Sequence, residues 1–254
     1  LITTKTMYKK ISWIVLDWKK LWRTINFPTA NIFCEDENIT DGTYKINIIV
    51  NWKKYSWVWA YLKEKKLFES HIFDFSDNIY WVNIEVYIIH KIRDNKKFSS
   101  FEELKNQILK DVESAKNTEI LAMTFWTFDV FHEWHKHYLL EAKNFSDKLI
   151  TIVATDKNVL KIKWILPKFS ENERKNEVEK SWISDQVFVW DEENPMYFVE
   201  KFKPNVICLW YDQIWFSEKL ETFLHEKNIS SEIIRIESFK PEIYKSSILK
   251  NNNK

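Results

Sequence analysis

The sequence predicts two domains of different class: an antiparallel, barrel-like half over residues 1–117 and an α/β half with a parallel sheet over residues 118–254. Three observations carry that expectation. Residues 11–92 hold apolar, β-branched runs joined by short polar connections, the pattern of strands that close or nearly close on themselves. One amphipathic helical run follows them. Beyond Lys116 strand-like and helix-like runs alternate, which gives parallel strands with crossover helices, so the boundary falls near residues 117–119.

In the first half the expected strands are ISWIVL, YKINIIV, YSWVWAYL, SHIFDF and NIEVYIIH. The helix is FSSFEELKNQILKDVESAK, with Ser99 or Ser100 as its cap and Glu102 and Glu103 in its first turn. Phe101, Leu104, Ile108, Leu109 and Val112 mark its apolar face. In the second half EILAMTF, KLITIVAT, DQVFV, NVICL and SEIIRI read as strands. EWHKHYLLEAKNF, SENERKNEVEKS, NPMYFVEKF and FSEKLETFLHEKN read as the helices between them. The final NNNK is expected to be disordered.

Composition narrows the class. The 254 residues suffice for two ordinary domains. Charges nearly cancel, 38 Lys and Arg against 37 Asp and Glu, so no polybasic tail argues for nucleic acid or a membrane surface. No apolar run approaches the ~18 residues of a membrane span, and LITTKTMYKK lacks the apolar stretch of a secretion signal. Cys34 and Cys208 stand far apart without a C-x-x-C partner, which suits buried thiols in a reducing compartment. These features predict a cytoplasmic protein.

One count is out of line: 1 glycine and 14 tryptophans. Ordinary usage of about 7% would give roughly 18 glycines. Tryptophan stands where glycine is wanted. Asn51-Trp52 joins two strands, where Asn-Gly favours a type I′ hairpin. Trp182 follows a helical run, at the place of a C′ glycine. Trp18 and Trp22 bracket a polar loop, and Trp190 and Trp210 follow buried-looking strands where an α/β fold turns toward its ligand. The pattern predicts a gene that spells glycine with UGA, as some bacterial lineages do, written out with UGA as tryptophan. Heavy Lys, Asn and Ile usage suits an AT-rich genome. The alternative is a Trp-rich protein that packs its rings in these turns.

Read with glycine at 126 and 134, TFWTFDVFHEWHKHY becomes T-F-G-T-F-D-V-F-H-E-G-H. With K-x-K-G-x-x-P and E-x-x-R after it, the chain from about residue 119 to 250 resembles the cytidylyltransferase-like nucleotidyltransferases. That chemistry attacks the α-phosphate of a nucleoside triphosphate and expels pyrophosphate, so it needs fixed donors and cations around phosphoryl oxygens. The resemblance implies that His132 and His135 stabilise the α-phosphate transition state beside a helix N-terminus. It implies ATP contacts from Thr127 and Phe128 in the turn, from Lys163 and Arg174, from Asp212 after a strand end, and from Ser246 and Ser247. Zinc at H-x-x-H-x-H lacks a supporting Cys or carboxylate pattern. Asp129 is expected to order the turn, and Lys161 and Lys175 to be solvated.

In the first half, LDWKKLWRTINFPTANIFCEDENITDGTY reads with glycines as G-x-x-L-G-R-x-x-x-F-P-T-A-N-I, then D-G-x-Y. It resembles the riboflavin kinases over residues 11–116. The resemblance implies a six-stranded barrel with a C-terminal helix. It also implies that Thr29 and Asn31 bind Mg²⁺ and ATP phosphates, and that Glu69 is the general base for the ribityl 5′-hydroxyl. Arg23 is expected near the phosphates.

Together the two resemblances imply phosphorylation of riboflavin to FMN and adenylylation of FMN to FAD, with ATP and Mg²⁺ at both sites. The substrates would be riboflavin, FMN and ATP, with no nucleic acid or membrane partner. In the usual bacterial fusion the adenylyltransferase comes first; here the kinase-like half does. Two alternatives stay open: a second half that uses CTP or another phosphorylated acceptor, and an inactive flavin- or nucleotide-binding protein with literal tryptophans.

Overall fold

The computed structural model describes residues 9–14, 31–33, 39–71, 83–190, 194 and 196–237. It divides into two compact units, residues 1–119 and 120–254.

The first unit is one antiparallel sheet and a helix. Its strands are β1 (Lys9–Ile14), β2 (Asn31–Phe33), β3 (Gly42–Val50), β4 (Lys53–Leu62), β5 (Leu67–His71) and β6 (Asn83–Arg93), in the order β1-β6-β3-β4-β5-β2. Period-two alternation builds the core. Tyr44, Ile46 and Ile48 of β3, Trp57, Trp59 and Tyr61 of β4, and Ile84, Val86 and Ile88 of β6 form one buried cluster. The three-residue β2 had no pattern long enough to announce it, and β5 starts three residues before the expected SHIFDF. Where the resemblance implies a six-stranded barrel, the structure has an antiparallel sheet of six strands, whose end strands β1 and β2 share no ladder among the described residues.

The turn chemistry follows the sequence. Asn51 and Trp52 have φ of 49° and 65°, both left-handed, as a type I′ hairpin requires. Gly42, the chain's one glycine, is needed where it stands: a Cβ there would lie 2.9 Å from the Arg93 carbonyl oxygen on the neighbouring strand.

Helix α1 (Phe101–Asn117) starts at Ser100, whose hydroxyl accepts from the Glu103 N–H at 3.2 Å. Its buried stripe is Ile108, Asp111 and Ala115, whereas Phe101 and Leu109 are exposed, which corrects the expected apolar face. The cause is a charge pair. Arg93 of β6 meets the Asp111 carboxylate at 2.6 and 2.8 Å, and that fork rotates the Asp111 face inward.

The second unit runs β7 (Leu121–Trp126), α2 (Glu133–Asn144), β8 (Lys148–Val153), α3 (Asp156–Lys163), α4 (Glu171–Lys180), β9 (Gln186–Val189), α5 (Tyr197–Phe202), β10 (Val206–Trp210), α6 (Ile214–Glu226) and β11 (Glu232–Ile236). The five strands are all parallel, in the order β11-β10-β7-β8-β9. One face packs Met123, Phe125, Ile207 and Leu209 against Phe198 and Val199 of α5 and Phe216 and Leu220 of α6. Toward the other, Tyr138 of α2 donates to the Cys208 carbonyl at 2.6 Å. Cys208 is a buried free thiol, and burial pushes its pKa up; Cys34 lies outside the described residues.

Strand order decides where a ligand goes. The chain lays β8 and β9 on one side of β7, then crosses back to place β10 and β11 on the other, so the order reverses between β7 and β10. The β7–β10 ladder stops at Thr124 and Cys208, while β7–β8 pairing continues to Trp126 and β10–β11 pairing to Trp210. The sheet forks there, and open parallel sheets bind ligands outside such a switch point. Among the described residues no helix is long and apolar enough to cross a membrane.

Candidate active site

In the first unit, the β2–β5 register sets Asn31 opposite Glu69. Two residues assigned to the kinase chemistry from separate motifs thus share one position across two strands. Thr29 and Arg23 lie outside the described residues, as do Ser246 and Ser247 of the second unit.

In the second unit the site begins at the turn after β7. Phe128 and Val130 both take left-handed φ, 55° and 53°. Non-glycine residues pay strain for that, and the surroundings hold it. The Phe128 ring is fully buried, edge-on to the His135 ring at 5.4 Å. Asp129 accepts from the backbone N–H groups of Lys168 and Phe169 at 2.9 and 3.3 Å, so it ties the turn to the following loop.

Arg174 holds the same turn from behind. Its side chain is 1% exposed. It donates to the carbonyls of Thr127, Ala154 and Phe169 and pairs with Asp156 at 2.6 Å. The residue expected on the triphosphate is therefore set as a brace under the turn, with its fork spent on backbone oxygens and one carboxylate.

His132 and His135 open α2 as a reciprocal cap. Trp134 N–H donates to His132 Nδ1 at 3.2 Å, and His132 N–H donates to His135 Nδ1 at 3.3 Å. An imidazole that accepts at Nδ1 while neutral carries its proton on Nε2. Burial lowers the His132 pKa, with Glu133 opposing, and burial, His132 and Lys163 hold His135 well below 6.5. Both rings are thus neutral near pH 7, 4.2 Å apart between centroids, with Nε2–H groups as their donors. His132 Nε2 is buried without a hydrogen-bond partner, an orphan donor that a ligand oxygen would satisfy.

A cavity of 440 Å³ opens at the fork of the sheet, within the range of small-molecule sites. Thr127, Lys163 and Asp212 line it, three of the residues assigned from the sequence. Lys161 and Lys219 line it too, so three cations face one carboxylate and the cavity suits an anion. Burial raises the Asp212 pKa, and Lys163 opposes that. Val159, Trp190, Met196 and Phe216 form an apolar wall on which a planar base could lie. The histidines stand apart from it. His135 lines a small adjoining void with Trp134, Tyr138 and Trp210, and Trp126 borders both spaces.

Sequence reasoning missed several lining residues. Gln213 is buried and spans the fork: Trp210 N–H donates to its Oε1 at 2.7 Å, and its Nε2 donates to the Phe125 carbonyl at 2.9 Å. Asn158 comes from α3, a helix that the sequence pattern does not announce. Thr155, whose hydroxyl caps the Asn158 N–H, is the signal that could have found it. Lys161 is exposed, as expected, and also borders the cavity, and Lys219 belongs to no motif. Among the described residues no three His, Cys, Asp or Glu side chains cluster as for a metal ion.

Two family models match the chain: riboflavin kinase over residues 8–119 and cytidylyltransferase-like over residues 123–252. An FAD synthase of Ferroglobus placidus is 41% identical over 111 residues, 43% of this chain and 71% of that protein. A bifunctional riboflavin kinase/FMN adenylyltransferase of Haemophilus influenzae is 42% identical over 113 residues, 40% of this chain and 36% of that one. An FAD synthase of Archaeoglobus fulgidus is 36% identical over 115 residues and is covered over 82% of its length.

Proposed function

The chain belongs to the cytidylyltransferase-like family through residues 123–252, and from that premise we propose that it makes FAD from riboflavin in two ATP-dependent steps. The first, over residues 1–117, phosphorylates riboflavin to FMN; the second, over residues 118–254, adenylylates FMN and releases pyrophosphate. The observations that carry the second step are the cavity at the sheet fork with its lysines and the neutral histidine pair, of which His135 lines the adjoining void. The match of residues 8–119 to riboflavin kinase supports the first.

The chemistry divides among the residues as follows. Lys161, Lys163 and Lys219 neutralise the triphosphate. His132 and His135 donate from Nε2 to α-phosphate oxygens as charge builds there, which fixed donors do without reorganising. Arg174 acts through the turn it braces and is a positioning residue. Ser246 and Ser247 hold phosphate oxygens. In the first unit the sheet closes as a barrel, and Glu69 accepts the ribityl hydroxyl proton. Asn31 and Thr29 would hold Mg²⁺. Their oxygen-bearing types, with Asn31 opposite Glu69 in register, make a donor set for a hard cation. Bound there, the metal would neutralise phosphate charge. Both reactions draw on the cytoplasmic ATP pool, and the protein is assigned to that compartment.

The test uses protein purified from its own cells, given riboflavin or FMN with ATP or CTP. FMN and FAD should form with ATP. Turnover with CTP alone would sink the adenylyltransferase reading. Glu69→Gln should slow FMN formation by about 10²–10⁴-fold. His135→Ala should slow FAD formation from supplied FMN by about 10²–10³-fold and leave FMN formation unchanged.

A further inference from the structure

Three tryptophans crowd the end of β7, where the phosphates are expected. Trp134 and Trp210 meet edge to face at 4.8 Å, and Trp126 lies 6.3 Å from Trp210. Trp126 borders both the cavity and the void that His135 lines, and Lys163 Nζ sits 5.1 Å over its ring. A cation assigned to phosphate thus faces an indole. The Trp134 indole N–H is buried without a partner, which costs free energy.

Three others have the opposite surroundings, and their anomaly lies in the backbone. Trp52, Trp164 and Trp182 take φ of 65°, 59° and 57° and are 99%, 86% and 90% exposed. Each closes a hairpin or a helix end, and each shows its largest apolar side chain to water. Left-handed backbone is glycine's region, and a tryptophan there gains no packing to offset the strain.

We propose that positions 52, 126, 134, 164, 182 and 210 are glycine in the protein made by its own cell, so that the void beside the histidines and the 440 Å³ cavity form one continuous nucleotide trough. Both sets of positions then obey one rule: the exposed ones need the backbone freedom, the buried ones need the space. What the trough is used for rests on the reading under Proposed function; the residue identities do not.

Peptide mass spectrometry of the natively made protein across residues 121–143 should find glycine at 126 and 134, and tryptophan at both would overturn the proposal. Two recombinant comparisons test the physics. Trp52→Gly, Trp164→Gly and Trp182→Gly, made together in the chain as written, should raise Tm by roughly 2–4 °C, because all three are solvent-exposed left-handed sites; a fall in Tm counts against the proposal. Adding Trp126→Gly, Trp134→Gly and Trp210→Gly should tighten ATP binding by at least about tenfold by calorimetry, about 1.4 kcal/mol; unchanged or weaker binding by a folded protein overturns the trough. Glycine at 126 and 134 in a native protein that makes no FAD would sink the functional reading and leave this one standing.

Discussion

At the scale of single residues, the histidine pair turns a helix cap into an acid-sensitive device. Each Nδ1 accepts a backbone N–H, so protonation removes an acceptor and places two positive rings 4.2 Å apart. The His135 pKa in the folded chain lies well below 6.5, whereas the unfolded chain takes up that proton near 6.5. Between those values the unfolded state binds more protons, so stability is full above about pH 6.5 and is lost as pH falls through the window. His135 alone contributes a slope of up to about 1.4 kcal/mol per pH unit there. Denaturant midpoints recorded from about pH 7.5 down to 5 should show it, and His135→Gln should flatten the curve by that share.

At the scale of elements, α4 matters for what it delivers. Its ten residues are capped by Ser170 and Glu173 and carry a single fully buried guanidinium into the turn after β7. A lysine reaches one or two of the oxygens that Arg174 holds, and leaves the others unpaired. Arg174→Lys should therefore cost about 2–3 kcal/mol of stability and slow FAD formation more than FMN formation. Unfolding curves together with separate assays of the two steps would show whether the loss is confined to the second unit. Elements were legible where they carry a buried stripe or an alternating face, as β3, β4, β6 and β8 do. Helix α3 was not, because it has only eight residues and Val159 is its one buried side chain. The same shortness hid Asn158. Gln213 escaped because it bridges two strand ends through backbone groups, which no residue pattern records.

For the whole molecule, the sequence conveyed the two-class order and the parallel second sheet, and it put the turn after β7 and the two histidines next to one another, as the structure does. It did not convey that Arg174 is buried beneath the turn, because that depends on packing between the turn, the end of β8 and the loop before α4. Each unit has its own core, so damage to one should spare the other's chemistry. Asp111→Ala strips the Arg93 fork that seats α1 on the first sheet, and it should cost about 2–3 kcal/mol there. Thermal inactivation of FMN formation should move to lower temperature. FAD formation from supplied FMN should inactivate where it did before; a shared shift would mean the two cores unfold as one.

The fork between β7 and β10 has one more consequence. Where the strands part, the Trp210 amide hydrogen is held by the Gln213 side chain, not by the other strand. Its exchange with deuterium is therefore governed by the seating of the first turn of α6, while its neighbours in β10 report the sheet. Residue 210 is a built-in gauge of the crevice, readable without any ligand, and it keeps that property whichever side chain the position bears.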